Sequence, residues 1–139
     1  MDFDEFRLMY ATTMVRYQML EHDIKCIYAY MRVGDIDKHF DEIENKTLGY
    51  MIRELERLDN SDNDPLISSN DYEFLKEVCD NRNHWAHEVF IEFIYEKNFY
   101  KSKAYKKECD RLEKDYYRIS RASDILENIR IDYCKNIIR

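Results

Sequence analysis

Length, composition and charge narrow the classes of protein to which this chain can belong. Its 139 residues suffice for a hydrophobic core, and two glycines and one proline are too few for the turns of a many-stranded β fold. Charged residues make up 37% of the chain, the net charge is −7, and no apolar run approaches the ~18 residues of a membrane span. The amino-terminal residues are acidic and lack the basic region of a signal peptide, so we expect a soluble, cytoplasmic protein without membrane contacts.

Apolar residues recur at three- and four-residue steps over the first part of the chain, which predicts two helices. The first runs from about Asp2 to Val33, and Gly34 directly after it is a suitable helix stop. The second is capped by Asp35 or Asp37 and continues through Leu58.

The only clear loop signal, at residues 59–65, separates these helices from the second half of the chain. A third helix, capped by one of residues 69–71, is predicted to continue to about Lys97. A fourth begins near Ser102 and reaches the carboxyl end, and its length predicts a kink or a projecting end. The sequence therefore predicts an all-α fold, an up-and-down bundle of four main helices in one domain spanning residues 1–139.

The cysteines and histidines show no pattern typical of a metal site. The four cysteines lie near apolar positions without a Cys-x-x-Cys pair, which predicts buried, reduced thiols. His84 and His87 form a His-x-x-His pair beside Glu88, but further ligands have no evident source, so no metal or other cofactor is predicted. On a helical wheel His84 falls on the polar face and is expected at the surface, as are His22 and His39.

Three polar side chains lie inside the apolar run of the third predicted helix. Arg82 and Asn83 fall within its apolar arc and His87 lies at the edge, where polar groups are costly unless they have a partner or a task. Asn83 and His87 are four residues apart and face the same way, so the amide can orient the imidazole. Residues 89–95 are apolar nearly all round, and since one bundle face cannot bury them, a second subunit is expected. Trp85 is expected in the core or an interface.

The pattern Arg82-Asn83-x-x-x-His87, on a predicted long helix of an all-α chain, resembles the signature of the HEPN superfamily, small helical domains that include many ribonucleases. The resemblance implies a homodimer with one composite cleft and metal-independent cleavage of RNA by its own 2′-hydroxyl. It implies that Arg82 binds phosphate and His87 transfers a proton, with Asn83 as their polar companion, roles that suit these side chains. A toxin or phage-defence effector is the implied role. One branch of the family carries Tyr two residues after the His, where this chain has Val89.

A basic stretch in this acidic chain is the second feature that bears on RNA. Residues 97–121 carry nine lysines and arginines against four acids, a net charge of +5, whereas the remainder carries −12. The cations predicted to bind RNA are Lys103, Lys106, Lys107, Arg111, Lys114 and Arg118. The alternative is a solvated helix face. The tyrosines at positions 95, 100, 105, 116 and 117 either stack on unpaired bases or mark the boundary between core and water.

Other interpretations of the same residues stay open. Glu21 interrupts the apolar stripe of the first helix, and it either reaches water or supports Arg82 or His87 as an acidic partner across the bundle. Arg82, Asn83 and His87 can also be read as a buried polar network in a catalytically silent interaction module, acting as an antitoxin or regulatory partner. A metal-dependent helical hydrolase is disfavoured, because no paired acidic or histidine motif recurs on another helix.

Overall fold

The structure, a computed structural model, describes residues 1–91 and 93–137, and the protein is all-α over these residues. Its five helices are α1 (Phe3–Met31), α2 (Ile36–Ile43), α3 (Leu48–Asp59), α4 (Ser69–Asp80) and α5 (Lys103–Ile137). A π-helix (His84–Glu88) and a 3-10 turn (Phe99–Lys101) lie between α4 and α5. Within the described ranges, no helix combines the length and apolarity needed to cross a bilayer. The all-α prediction is confirmed, and the predicted number of main helices is one too few.

Short-range capping bonds determine where the first helices begin. The Asp2 carboxylate accepts a hydrogen bond from the Glu5 amide at 2.8 Å, and the Glu5 side chain accepts one from the Asp2 amide at 3.0 Å, so α1 starts with a complete capping box. Asp35 caps α2 as predicted. Ser68 caps α4, one position before the residues expected to do so.

The prediction of a single helix from residue 35 to residue 58 is wrong. α2 ends at Ile43, and after four intervening residues a new helix, α3, begins at Leu48, because the Thr47 hydroxyl accepts a hydrogen bond from the Tyr50 amide at 3.2 Å. A threonine at this position offers the backbone an alternative to continuing the preceding helix.

The third predicted helix is also much shorter than expected. It was predicted to reach Lys97, but α4 ends at Asp80 and gives way to the π-helix and a series of turns. These turns include Asn98, whose φ of 59° lies in the left-handed region. Glu92, within the predicted helix, lies outside the described residues. The last predicted helix is found as α5, which is continuous from Lys103 to Ile137.

The core forms where α1 packs along α5, with α3 packed against α1 and α4 packed against α3 and α5. The Tyr17 hydroxyl donates a hydrogen bond to the Val78 carbonyl at 3.0 Å and so joins α1 to α4 inside the core. Fully buried side chains come from every helix except α2 and include Phe6, Leu20, Ile24, Ile27, Leu48, Met51, Leu55, Tyr72, Trp85, Phe93, Leu112 and Leu126.

A buried carboxylate holds the loop between α3 and α4. Asp59 accepts hydrogen bonds from the Leu66 amide at 2.7 Å, the Ile67 amide at 3.0 Å and the Tyr72 hydroxyl at 2.7 Å. Three donors compensate the desolvation of one carboxylate and fix the loop against the first turn of α4.

Two sequence predictions about individual side chains have different outcomes. All four cysteines are free, and Cys26, Cys109 and Cys134 are buried as predicted, whereas Cys79 is only half-buried. His39 was expected at the surface but is buried, and its imidazole lies 2.9 Å from the Val33 carbonyl. The turn that precedes α2 brings the Val33 carbonyl to this imidazole, and a helical wheel of α2 alone does not show that contact.

Candidate active site

The Arg-Asn-x-x-x-His motif lies on irregular backbone rather than in the middle of a long α-helix. The Val89 amide donates to the His84 carbonyl at 3.0 Å, a separation of five residues that defines the π-helix. A π turn contains more residues than an α turn, so side chains in and after it rotate away from the positions that an α-helical wheel gives them. Such turns occur frequently at functional sites.

His84 is buried, which corrects the prediction of a surface histidine. Its Nε2 lies 2.6 Å from a carboxylate oxygen of Glu108 on α5, and Glu108 is itself buried. Its Nδ1 lies 3.7 Å from a carboxylate oxygen of the exposed Glu88. The ring also packs edge-on against Trp85, with centroids 4.8 Å apart. The predicted His-x-x-His pair is therefore divided, because His84 faces α5 whereas His87 faces solvent.

Trp85 fixes the π-helix to both of the long helices. Its side chain is fully buried, as predicted, and its indole nitrogen donates a hydrogen bond to Asp115 of α5 at 2.5 Å. The Tyr10 hydroxyl of α1 donates to the Trp85 carbonyl at 2.6 Å. This bond satisfies a carbonyl in a segment where regular helical hydrogen bonding has changed.

Arg111 connects this interior to the surface of α5. Its guanidinium donates to the Asn81 side-chain oxygen at 3.2 Å and lies 5.8 Å from the centre of the Trp85 ring. The Asn81 amide group in turn lies 3.4 Å from an oxygen of Asp115. We call the set formed by Asn81, His84, Trp85, Glu108, Arg111 and Asp115 the buried polar network.

Sequence reasoning missed Asn81, Glu108 and Asp115, although a signal for the two acids was present. Glu108 and Asp115 are seven residues apart and occupy core positions of α5, within the three- and four-residue steps that continue through Leu112 and Ile119. Acids at core positions of an apolar stripe indicate buried partners, and here these partners are the imidazole and the indole.

The motif residues themselves lie outside this network. Asn83 and His87 are exposed and Arg82 is half-buried, so the wheel was wrong to place Asn83 inside the apolar arc. In the part of the chain that the structure describes, no hydrogen bond joins Asn83 to His87. The imidazole of His87 is therefore accessible to a ligand from solvent.

Arg82 and Glu21 both act electrostatically on the same thiol. Burial raises the pKa of Cys79, Asp80 raises it further, Arg82 and Arg53 lower it, and Glu21 raises it. Charges affect a pKa in this way only over short distances. Within the described residues no ion pair joins Glu21 to Arg82 or His87, so the acidic support of the site by Glu21 stays a prediction.

The predicted basic stripe forms a groove on α5. An open groove of about 450 Å³ is lined by five cations and one acid, namely Lys103, Lys106, Lys107, Asp110, Arg111 and Lys114. All of these side chains are exposed except Arg111, which is half-buried, and Arg118 follows one helical turn further on. Because Arg111 also belongs to the buried polar network, this basic groove adjoins the π-helix.

Apolar side chains after the π-helix are divided between the core and the surface. Val89 and Phe93 are buried, whereas Ile91, Ile94 and Tyr95 are 67%, 47% and 90% exposed. Several adjacent exposed apolar side chains are uncommon on a monomer and are typical of an interaction surface.

Comparisons with known proteins do not assign this site. The chain has no significant match among family models, curated proteins or solved structures. Any assignment of the site to a reaction therefore depends on its residues and geometry and on the motif they contain.

Proposed function

We propose that this protein is a metal-independent endoribonuclease that acts as a homodimer, with Arg82 and His87 as its reactive groups. The observation that carries the proposal is the accessibility of His87 on a π-helical turn whose opposite side is fixed to α5 by the buried polar network. A reactive imidazole must be accessible and also held in one geometry.

The chemistry follows from the two side chains. The 2′-hydroxyl oxygen of RNA attacks the adjacent phosphorus, the bond from phosphorus to the 5′-oxygen breaks, and a 2′,3′-cyclic phosphate forms. One imidazole accepts the 2′-hydroxyl proton and a second donates a proton to the leaving oxygen, so the reaction needs the two copies of His87 in a dimer. Arg82 stabilises the charge that develops on the phosphate, and Asn83 supports the pair.

Two surfaces next to the motif support this proposal. The basic groove offers cations to the phosphates of a bound RNA, and Arg111 connects that groove to the buried side of the π-helix. Ile91, Ile94 and Tyr95 form an apolar surface beside the motif, where a second copy of the chain would bring its own His87 close.

The direct test is cleavage of a fluorescently labelled RNA by the purified chain in the presence of a chelator. We expect cleavage to persist and the products to end in 2′,3′-cyclic phosphate, because the nucleophile is internal to the RNA. His87→Ala and Arg82→Ala should each lower the rate at least about 100-fold, and Asn83→Ala should lower it less.

His22→Ala is the matched control, since His22 is an exposed histidine on α1 outside the motif. This variant should cleave at the wild-type rate. Loss of activity in chelator would contradict the metal-independent reaction. Equal residual cleavage by wild type and His87→Ala would assign the activity to a contaminant and reject the proposal.

A catalytically silent interaction module is the second candidate, and an apolar face on α1 favours it. Leu8, Val15 and Met19 recur at helical spacing on the side of α1 that faces solvent, and all three are exposed. An antitoxin or regulatory protein that docks there would need neither Arg82 nor His87. Absence of cleavage, with partner binding abolished by Val15→Asp but retained by His87→Ala, would favour this second function.

A further inference from the structure

Tyr100 differs from the other exposed tyrosines because its ring is held at the end of a cationic surface. It lies in the 3-10 turn before α5 and is 52% exposed. Its hydroxyl donates to the Asn98 side chain at 3.1 Å, and its ring packs edge-on against Phe99 with centroids 5.9 Å apart. The Lys101 ammonium lies 5.9 Å from the ring centre. An exposed aromatic ring with these restraints loses little conformational entropy when a ligand stacks on it.

The surface beside Tyr100 continues into the basic groove. A second open groove of about 350 Å³ contains Tyr100 and Lys101 and shares Lys103, Lys106 and Asp110 with the first one. The two grooves therefore form one path from the tyrosine to Lys114. The helical part of this path, residues 103–114, is about 16 Å long at ~1.5 Å per residue, which gives room for several phosphates.

We infer that Tyr100 is a base-stacking subsite for single-stranded RNA, whose phosphates then follow α5 from Lys103 to Lys114 towards the motif. This inference rests on the proposed function and specifies its substrate as unpaired RNA. An aromatic ring stacks on the face of a base only when that base is free of its neighbours in a duplex, whereas the lysines bind phosphates of any nucleic acid. The combination of one restrained ring and a line of cations therefore favours a single strand.

The other tyrosines of the predicted stripe are less suited to this role. Tyr105 is buried, with its hydroxyl donating to the Met1 carbonyl at 3.1 Å. Tyr116 is half-buried beneath the Arg16 guanidinium, 5.4 Å from the ring centre. Tyr117 is 65% exposed and packs edge-on against Tyr116, but it lines neither of the two grooves. Tyr95 is the most exposed, but it belongs to the apolar surface assigned above to the second subunit.

Fluorescence anisotropy with defined RNA probes tests the inference. The protein carries His87→Ala so that the probe stays intact, and the probes are an oligouridine of about 12 nucleotides, an abasic strand of equal length and a duplex of equal length. Tyr100→Leu should weaken binding of the oligouridine about tenfold, since stacking of one base is lost. The same substitution should leave the abasic strand and the duplex nearly unchanged, because both depend on phosphate contacts alone.

Tyr50→Leu is the matched control. Tyr50 is an exposed tyrosine on α3 with the Lys46 ammonium 5.0 Å from its ring, so it reproduces the tyrosine–lysine pair away from the groove. This control should bind all three probes like the His87→Ala parent. Tyr100→Phe, which keeps the ring, should retain most of the affinity.

The outcomes of these binding experiments test the stacking subsite independently of the proposed cleavage reaction. An equal loss of affinity for the oligouridine and the abasic strand, an equal loss in Tyr50→Leu, or no loss in Tyr100→Leu would overturn the inference even if the wild type cleaves RNA. Selective loss of oligouridine binding would support it even if the wild type proves inactive. Preference for the duplex over the single strand would also overturn it.

Discussion

The imidazole of His84 lies 2.6 Å from the carboxylate of Glu108, and both side chains are buried. Together with the bond from Trp85 to Asp115, this contact attaches two consecutive residues of the π-helix to α5. The attachment leaves His87, three residues further along the chain, on the exposed side of the same turn. Short-range helical hydrogen bonds alone do not determine the geometry of this segment. The buried polar network supplies the remaining restraints.

The first prediction concerns the stability that this contact provides. Glu108→Ala leaves the His84 imidazole without its buried partner and should lower the free energy of unfolding by about 1–3 kcal/mol. Urea unfolding followed by circular dichroism measures the change. Glu113→Ala, an exposed acid on the same helix, serves as the control and should stay within about 0.5 kcal/mol of wild type. Equal stability of the two variants would show that the contact does not hold the π-helix.

The second prediction is a loss of stability at alkaline pH that involves Tyr72. Burial and the hydrogen bond to Asp59 raise the pKa of its phenol in the folded state above the unfolded value of about 10. The resulting stabilisation is complete below about pH 10 and is lost as pH rises above that value, because the unfolded chain then releases a proton that the folded chain retains.

Urea midpoints measured from about pH 8 to pH 11 test this dependence. Tyr72→Phe should be less stable than wild type at pH 8, since Asp59 loses one donor, and the difference should shrink as pH rises. Tyr50→Phe, which changes an exposed tyrosine, should follow the wild-type curve. A difference between Tyr72→Phe and wild type that stays constant over the whole range would contradict the assignment.

The third prediction concerns the contribution of the basic groove to RNA affinity. Replacing Lys103, Lys107 and Lys114 together by glutamine should weaken binding of single-stranded RNA and reduce the slope of log affinity against log salt by about 2, which is the release expected for three phosphates. Titrations at several salt concentrations provide the slope. Replacing the exposed Lys38, Lys46 and Arg57 removes the same charge elsewhere and should leave the slope unchanged. If both sets change it equally, net charge rather than the groove determines binding.

The fourth prediction concerns assembly. Ile91→Asp and Tyr95→Asp should each convert a homodimer into a monomer, because a charge would then be buried in the apolar surface next to the motif. Light scattering at micromolar concentration measures the mass. Val33→Asp, at an exposed position before α2, should remain dimeric. A monomeric wild type would reject the composite site, and a dimer disrupted by Leu8→Asp instead would move the interface to α1.

The sequence by itself determined the parts of the fold that depend on local periodicity and capping. Helices α1 and α5 have nearly their predicted limits, because apolar residues at helical spacing and caps such as Asp2 act within a few residues of one another. The buried position of Trp85 was predictable for the same reason. The break between α2 and α3 was not predicted, since the sequence is compatible with Thr47 either inside a helix or at a helix cap.

Only the tertiary structure decided how the motif is presented. A wheel with α-helical spacing placed His84 at the surface and Asn83 in the core, and the structure reverses both positions. The cause is a contact between residues that are 24 apart in the chain. Glu108 supplies a buried partner for His84, and His84 is the first residue of the π-helix. Local propensity carries no information about such a partner, because the energy that favours burial of a polar side chain depends on the group it meets there and not on its neighbours in sequence.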